Sequence, residues 1–505
     1  MGFQIPLNFI AFFVFLLLSS ILLVKQRNRK SLGKKKLPPG PRKLPLIGNL
    51  HNLIGGLPHH IFRDLSRKYG PLIHLQLGQV GTILISSPRL AKEVMKTHDL
   101  TFATRPDNLA GDVMFYGSTD IVFAKYGEYW RQMRKISVLE LFSAKNVRSF
   151  GSIRMDESLL MIASIRESVG KAVNLSTKLA NYTSSVVCRA AFGRLCPDQH
   201  EFIELVDEAS VLAAGFDIGD LFPSLKFIQF LTGLKPKLMK VHNKVDKILD
   251  HVINEHRKNM GRRNGEFGEE DLTDSLLRIQ QSGGDLQFPI SDNNIKAILF
   301  DVFGAGTETS STITEWALSE LIKNPDMMNK AQTEIRQAFK GKKRPIEEAD
   351  LQGLSYLKCV IKETLRLYPA APLLVPRECR EDCELDGYFI PKKSRVIVNA
   401  WAIGRDPEYW PNANSFIPER FENSSTDFTG NHFELIPFGS GRRSCPGMLF
   451  GIANIELPLA LLLYHFNWSL PDGLTSETLD MSETWGITTP RKYDLHLIPT
   501  SYYPL

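Results

Sequence analysis

The residues Pro437-Phe438-Gly439-Ser440-Gly441-Arg442-Arg443-Ser444-Cys445-Pro446-Gly447 put a cysteine in a loop with three glycines and two arginines. Thiolate is the form of cysteine that binds metals and attacks electrophiles, and neighbouring arginines favour it. Glycines let the backbone turn sharply or lie against a flat ligand, because no Cβ intervenes. An apolar run, Met448 to Leu463, follows, so the positive end of a helix is expected to point at the sulfur. A second chemical group lies in Ala305-Gly306-Thr307-Glu308-Thr309-Ser310. Small Ala305 and Gly306 are expected to open a groove on one helix face. Thr309 can bond a carbonyl of its own helix and loosen the turn, with the acid Glu308 beside it. Each group alone has a bland reading: a buried structural cysteine, or a tolerated glycine next to an exposed acid.

Spacing overturns the bland readings. Phe438, Gly441, Arg443, Cys445 and Gly447 fit F-x-x-G-x-R-x-C-x-G, which resembles the haem-binding loop of the cytochromes P450. That resemblance makes Cys445 the axial ligand of haem iron, whose electron push favours O–O cleavage, with Phe438, Gly441, Arg443 and Gly447 around the cofactor. Other stretches resemble the same family in its order. Trp130 and Arg134, four apart on one helix face, are similar to its W-x-x-x-R propionate-binding helix. Ala305–Thr309 resembles its A-G-x-[D/E]-T motif, in which Thr309 and Glu308 would relay protons. Glu363 and Arg366 form an E-x-x-R pair, and Pro418-Glu419-Arg420-Phe421 supplies the partner arginine. A carboxylate between two guanidiniums fixes geometry, so these three are expected to be structural. Arg377 ends a stiff apolar stretch from Pro369 and by resemblance reaches a propionate.

The elements that must position these groups are mostly helical. Ser291 to Asn324 reads as one long helix, with Ser291 or Asp292 as N-cap and Pro325 as stop. At about 1.5 Å per residue it crosses a whole domain. Phe62 to Tyr69 reads as a short helix. Leu72–Leu77 and Thr82–Ile85 alternate like a hairpin around Gly78–Gly81. Thr101 to Lys125 lacks a clear period, a mark of functional loops. Residues 150 to 290 show helical spacing, with a polar loop from Gly261 to Glu270. The expected fold is therefore mainly α with a small β region. The resemblance implies the cytochrome P450 fold, in which a long central helix crosses the haem and the cysteine loop lies on the opposite face.

Net charge is +6 over 505 residues. Lys25, Arg27, Arg29, Lys30, Lys34, Lys35 and Lys36 account for it, so the remainder is close to neutral and nucleic-acid binding is not indicated. These cations follow Leu7 to Val24, a run without charge long enough to span a membrane. Basic residues stay cytoplasmic, so residues 1–24 are expected to be a single-pass anchor in the endoplasmic reticulum. Residues 25–50 then form a basic, proline-rich hinge, stiffened by Pro38, Pro39 and Pro41. Residues 51–505 form one cytosolic haem domain. Six cysteines at 188, 196, 359, 379, 383 and 445 lack a disulfide-framework spacing. A reducing compartment fits.

No G-x-G-x-x-G stretch is present for a flavin or nicotinamide. The resemblance therefore implies haem b, dioxygen, and NADPH used indirectly through a separate NADPH-cytochrome P450 reductase, with cytochrome b5 as a second candidate donor. Lys135, Arg442 and Arg443 are candidates for docking the reductase. The implied reaction inserts one oxygen into a C–H or C=C bond. A haem-thiolate isomerase or dehydratase is a second reading, against which the intact Glu308–Thr309 pair argues, and a haem sensor is a third. The wording of Leu37–Pro41, Thr364–Arg377 and Phe438–Gly451 is similar to the plant microsomal group acting on specialised metabolites, including terpenoid hydroxylases. Candidate substrate contacts are Phe123, Phe300, Val302, Ala305, Ala371, Leu374 and Ile487, the last in the turn Trp485–Thr488. They suit a terpene skeleton, and an alkaloid or phenylpropanoid core as well.

Overall fold

The computed structural model describes residues 35–502, apart from 196–198, 215–216, 226–228, 230–232, 260–269, 284–285, 343, 472 and 485. The anchor at 1–24, most of the polar loop at 261–270, Cys196 and Trp485 therefore lie outside the described residues.

One helix, Asp292–Lys323, organises the molecule. Ser291 closes its start with a reciprocal capping box. Its Oγ accepts from Asn294 N at 3.3 Å, while Ser291 N donates to Asn294 Oδ1 at 2.9 Å. The helix ends at Asn324, where Pro325 begins the next helix, Pro325–Ala338. Leu175–Phe192, Met448–His465 and Ser355–Leu367 pack around it, which is why it is apolar on more than one side. Met448–His465 is long and apolar enough to cross a membrane. Eleven of its eighteen residues are buried against this bundle, so it is a core helix.

The expected hairpin forms from Leu72–Leu77 and Val80–Ile85, with Leu77 opposite Val80. Arg395–Val398 joins Val80–Ile85 in parallel, and Arg377–Glu378 adds an antiparallel edge. That edge places Arg377 opposite Val396, facing inward and buried. The short helix starts at Pro58 rather than Phe62, because proline at the first helical position costs no hydrogen bond. The described part of the proline-rich segment is laid against the sheet. His74 N donates to Pro39 O at 2.8 Å, and a Cβ on Gly40 would come within 2.2 Å of His74 O. The segment 101–125 is irregular except for Leu109–Met114.

Candidate functional site

The cysteine loop is shaped by its glycines. Gly439 and Gly441 have φ of 66° and 70°, and a Cβ on Gly441 would lie 2.0 Å from Met95 O, so no other residue fits there. Cys445 N donates to Phe438 O at 2.9 Å and closes the loop, while the Phe438 ring meets Phe428 edge-on. Cys445 has accessible surface, yet protein surrounds its thiol. That surface opens on the interior, ahead of the helix Met448–His465.

The arginines do not act as the sequence suggested. Arg443 is buried and donates to the carbonyls of Ala103, Ile121 and Ala124, with its guanidinium 4.0 Å from the Trp130 ring centre. It is a brace between loops and presents no charge for docking a reductase. Exposed Arg442 pairs with Asp99 at 3.6 Å, and Lys135 is also exposed. The cation that acts on the sulfur is Arg134, and the Gly447 amide donates to it. Burial outweighs both and pushes the thiol up. The protein charges alone therefore do not hold a thiolate, because desolvation disfavours the ionised form; a metal cation at the sulfur would.

Four guanidiniums gather near this loop. Arg134 donates to Ser444 Oγ at 3.3 Å. Arg377 donates to Ser440 O at 2.8 Å and pairs with Asp99 at 3.2 Å. Arg105 donates to the carbonyls of Val122, Val375 and Pro376. Burial, then mutual repulsion, lowers Arg105 and pushes Arg443 down to about 9. Burial also lowers Arg134 and Arg377. Asp99 and Asp120 are the acids that offset them. Four cations against two carboxylates leave an excess of buried positive charge, which is costly unless an anion joins it. A planar group with two carboxylates and a metal that takes a sulfur ligand fits this donor set. Trp130 is buried, and its Nε1 donates to Ile121 O at 3.0 Å.

Sequence reasoning missed Arg105, and it missed the carboxyl pair that pins the segment 121–124. Asp301 of the central helix accepts from Ile121 N at 2.7 Å. Asp120 accepts from Val122 N and Phe123 N at 3.1 and 2.8 Å. Burial pushes Asp120 up to about 6, and burial with the neighbouring charge of Asp120 pushes Asp301 well above the usual range.

On the central helix, Thr309 Oγ1 donates to Ala305 O at 2.7 Å, as expected. Ala305 is exposed in the middle of an otherwise buried helix, so it faces an internal space. Gly306 does not share that face. A Cβ there would meet Val187 at 3.0 Å, because adjacent helical residues point about 100° apart. It serves packing against Leu175–Phe192. The Glu308 carboxylate accepts from the hydroxyl of Thr488 rather than from Thr309. Burial raises its pKa despite that bond. Phe123 reaches Phe300 through Phe115, with successive ring centres 5.2 Å apart. Phe300 and Val302 are core residues. Ala371 and Leu374 are half-buried, Leu374 at a φ of 52°, and Ile487 is exposed.

Away from these groups, Glu363 receives Arg366 through two bonds of 2.7 Å and Arg420 Nε at 3.0 Å. It also accepts from Ile417 N. Arg366 donates onward to the carbonyls of Gly404, Ala413 and Ser415. This network ties the helix Ser355–Leu367 to the strand-poor region before the cysteine loop.

The chain is similar to known proteins over nearly its whole length. The family description Cytochrome P450 matches residues 38–497. Premnaspirodiene oxygenase of Hyoscyamus muticus is 56% identical, over 97% of this chain and 98% of that protein. Tabersonine 3-oxygenase of Catharanthus roseus is 53% identical over 97% of each. A zebra fish cytochrome P450 solved with abiraterone superposes with a TM-score of 0.75 at 27% identity, covering 88% of this chain and 99% of that one. The cluster of guanidiniums, the enclosed cysteine and these likenesses agree, and the chain belongs to the cytochrome P450 family of haem monooxygenases.

Proposed function

We propose that this enzyme hydroxylates or epoxidises a small hydrophobic plant metabolite, in first place a terpenoid of sesquiterpene or diterpene size. The observation that carries the reading is Cys445, enclosed yet open to the interior, beside three buried guanidiniums and the half-buried Arg134. Likeness to premnaspirodiene oxygenase supports the terpenoid class. Likeness to tabersonine 3-oxygenase supports an alkaloid as second reading.

Haem bound at Cys445 supplies oxygen activation, fed from NADPH through a separate reductase as is typical of the family. The residues divide the remaining work. Arg134, Arg377 and Arg105 would neutralise the two propionates of a bound haem, while Trp130 and Arg443 brace the segment 121–124 through its carbonyls. Gly439, Gly441 and Gly447 let the loop backbone lie flat. Thr309, tied to Ala305 O, holds a hydroxyl at the helix face where protons are needed. Glu308, whose pKa burial raises, is the acid behind it and exchanges through Thr488. Ala305, Ala371, Leu374, Ile487 and Phe123 orient the apolar substrate and exclude water, with Phe300 and Val302 supporting them from the core. Glu363, Arg366 and Arg420 hold the scaffold. Residues 1–24 anchor the chain in the endoplasmic reticulum membrane, with the reductase, and cytochrome b5 as a further donor, approaching exposed Lys135 and Arg442.

The test is turnover by microsomes containing this chain and a reductase, given sesquiterpenes, diterpenes and indole alkaloids. An oxygenated terpenoid formed only with NADPH is expected. Oxygenation confined to the alkaloids would move the reading to the second class. Rearrangement without NADPH would replace it with an isomerase.

A further inference from the structure

Far along the chain from the cysteine loop, two histidines and a glutamate converge. His59 and His60 open the helix Pro58–Tyr69, and Glu483 lies on the C-terminal loop. One oxygen, Glu483 Oε2, is 2.6 Å from His59 Nε2 and 3.2 Å from His60 Nε2. All three candidate ligand atoms fall within 4.8 Å of one another. We propose that His59, His60 and Glu483 form a binding site for a divalent cation of the zinc type, which clamps the N-terminal helix to the C-terminal loop.

The ligand chemistry favours zinc. Two imidazole nitrogens and one carboxylate oxygen are a common zinc set, leaving a fourth position for water. Bonds of about 2.0–2.1 Å in a tetrahedron separate ligand atoms by about 3.3 Å, so the observed spacing needs only small shifts. The ligands are already oriented. Trp401 Nε1 donates to Glu483 Oε1 at 3.1 Å, fixing the carboxylate, and the His60 ring lies 4.4 Å from the Trp401 ring. Such outer contacts tune metal affinity. Arg405 is the cation that competes with the metal. Its guanidinium lies 4.0 Å over the Trp401 ring and donates to Leu367 O.

A second cluster, His256, Asp271 and Asp274, does not qualify. His256 Nδ1 is bonded to Val252 O and its Nε2 to Asp271, whose other oxygen caps the next helix. The Glu483 loop also carries Thr488, the partner of Glu308, so the clamp acts on the segment that borders the helix site.

The test uses the full-length, tag-free protein with its haem, stripped with a chelator and titrated with zinc chloride against a chromophoric competitor. Wild type is expected to bind one equivalent that His60→Ala loses or binds at least about tenfold more weakly. His60→Ala keeps the His59–Glu483 bond, so its fold survives; Glu483→Gln is the second variant. Zinc should raise the melting temperature of wild type and leave both variants unmoved. Equal stoichiometry and affinity in wild type and His60→Ala would overturn the proposal. So would a zinc-dependent loss of the carbon monoxide band in all three proteins, which would put the ion at Cys445.

Discussion

The cysteine side and the helix side of the site are built by different physics. Around Cys445, the parts are charged groups and backbone. Arg443 spans three carbonyls, Arg377 bonds Ser440 O, and Gly441 sits where a Cβ would strike Met95 O. Each contact names one residue type. On the helix side, Ala305, Leu374, Ile487 and Phe123 offer shape and apolar surface, which many residues supply. The first side is expected to fail completely when a part is changed, the second to change its preference.

The largest effect is expected at the sulfur. Cys445→Ser removes the sulfur proposed to ligate the iron, and reduced protein under carbon monoxide should lose the absorbance band of thiolate ligation together with all NADPH-dependent turnover. A band that persists in this variant would remove the basis of the comparison. Next in size is Glu363→Ala. The carboxylate is fully buried between Arg366 and Arg420, and its removal strands two guanidiniums at a cost of about 3–5 kcal/mol. Against a total stability of about 5–15 kcal/mol, that should sharply reduce folded, haem-containing protein, read as a lower denaturation midpoint.

That asymmetry also explains what was readable in the residues. The long helix and the hairpin follow from capping and periodicity, the cysteine loop and the Glu363 network from resemblance to family motifs, and the helix, the hairpin and the pairings of Glu363 stand where expected. Arg105 escaped because it lies in an irregular stretch, with nothing in its neighbours to show that it turns inward. Asp301 escaped as well, because only the fold brings it to Ile121 N. Gly306 was assigned to the wrong face because smallness signals close approach without saying to what. The cation acting on the sulfur was misread for a similar reason. Arg442 and Arg443 are near in sequence, whereas Arg134 is near in space.

A smaller, sharper test lies at Glu308. Burial raises its pKa, so the carboxyl keeps its proton to higher pH than an ordinary glutamate and loses it as pH rises through that value. Turnover should therefore decline on an alkaline limb. Glu308→Gln should remove the limb and lower kcat by about 10²-fold, with substrate binding retained. Thr488→Ala should instead move the limb upward, since the lost hydrogen bond is one that favours the charged form. An unchanged pH profile in both variants would separate Glu308 from proton delivery.

The smallest effects distinguish two neighbours on the same helix. Ala305 faces the interior space, so Ala305→Leu should change the ratio of kcat/KM between a bulky and a slim substrate by about 10–200-fold, or 1–3 kcal/mol, with the carbon monoxide band and melting temperature intact. Gly306 faces Val187 at a distance that leaves little room for even one added carbon. Gly306→Ala should lower the melting temperature through overpacking, a cost of about 1–3 kcal/mol, and leave the substrate ratio alone. If both substitutions shift the ratio equally, the helix has turned so that these residues share a face, and the division between packing and recognition drawn along it fails. If they part as expected, a rotation of one residue separates what the helix does for the fold from what it does for the substrate.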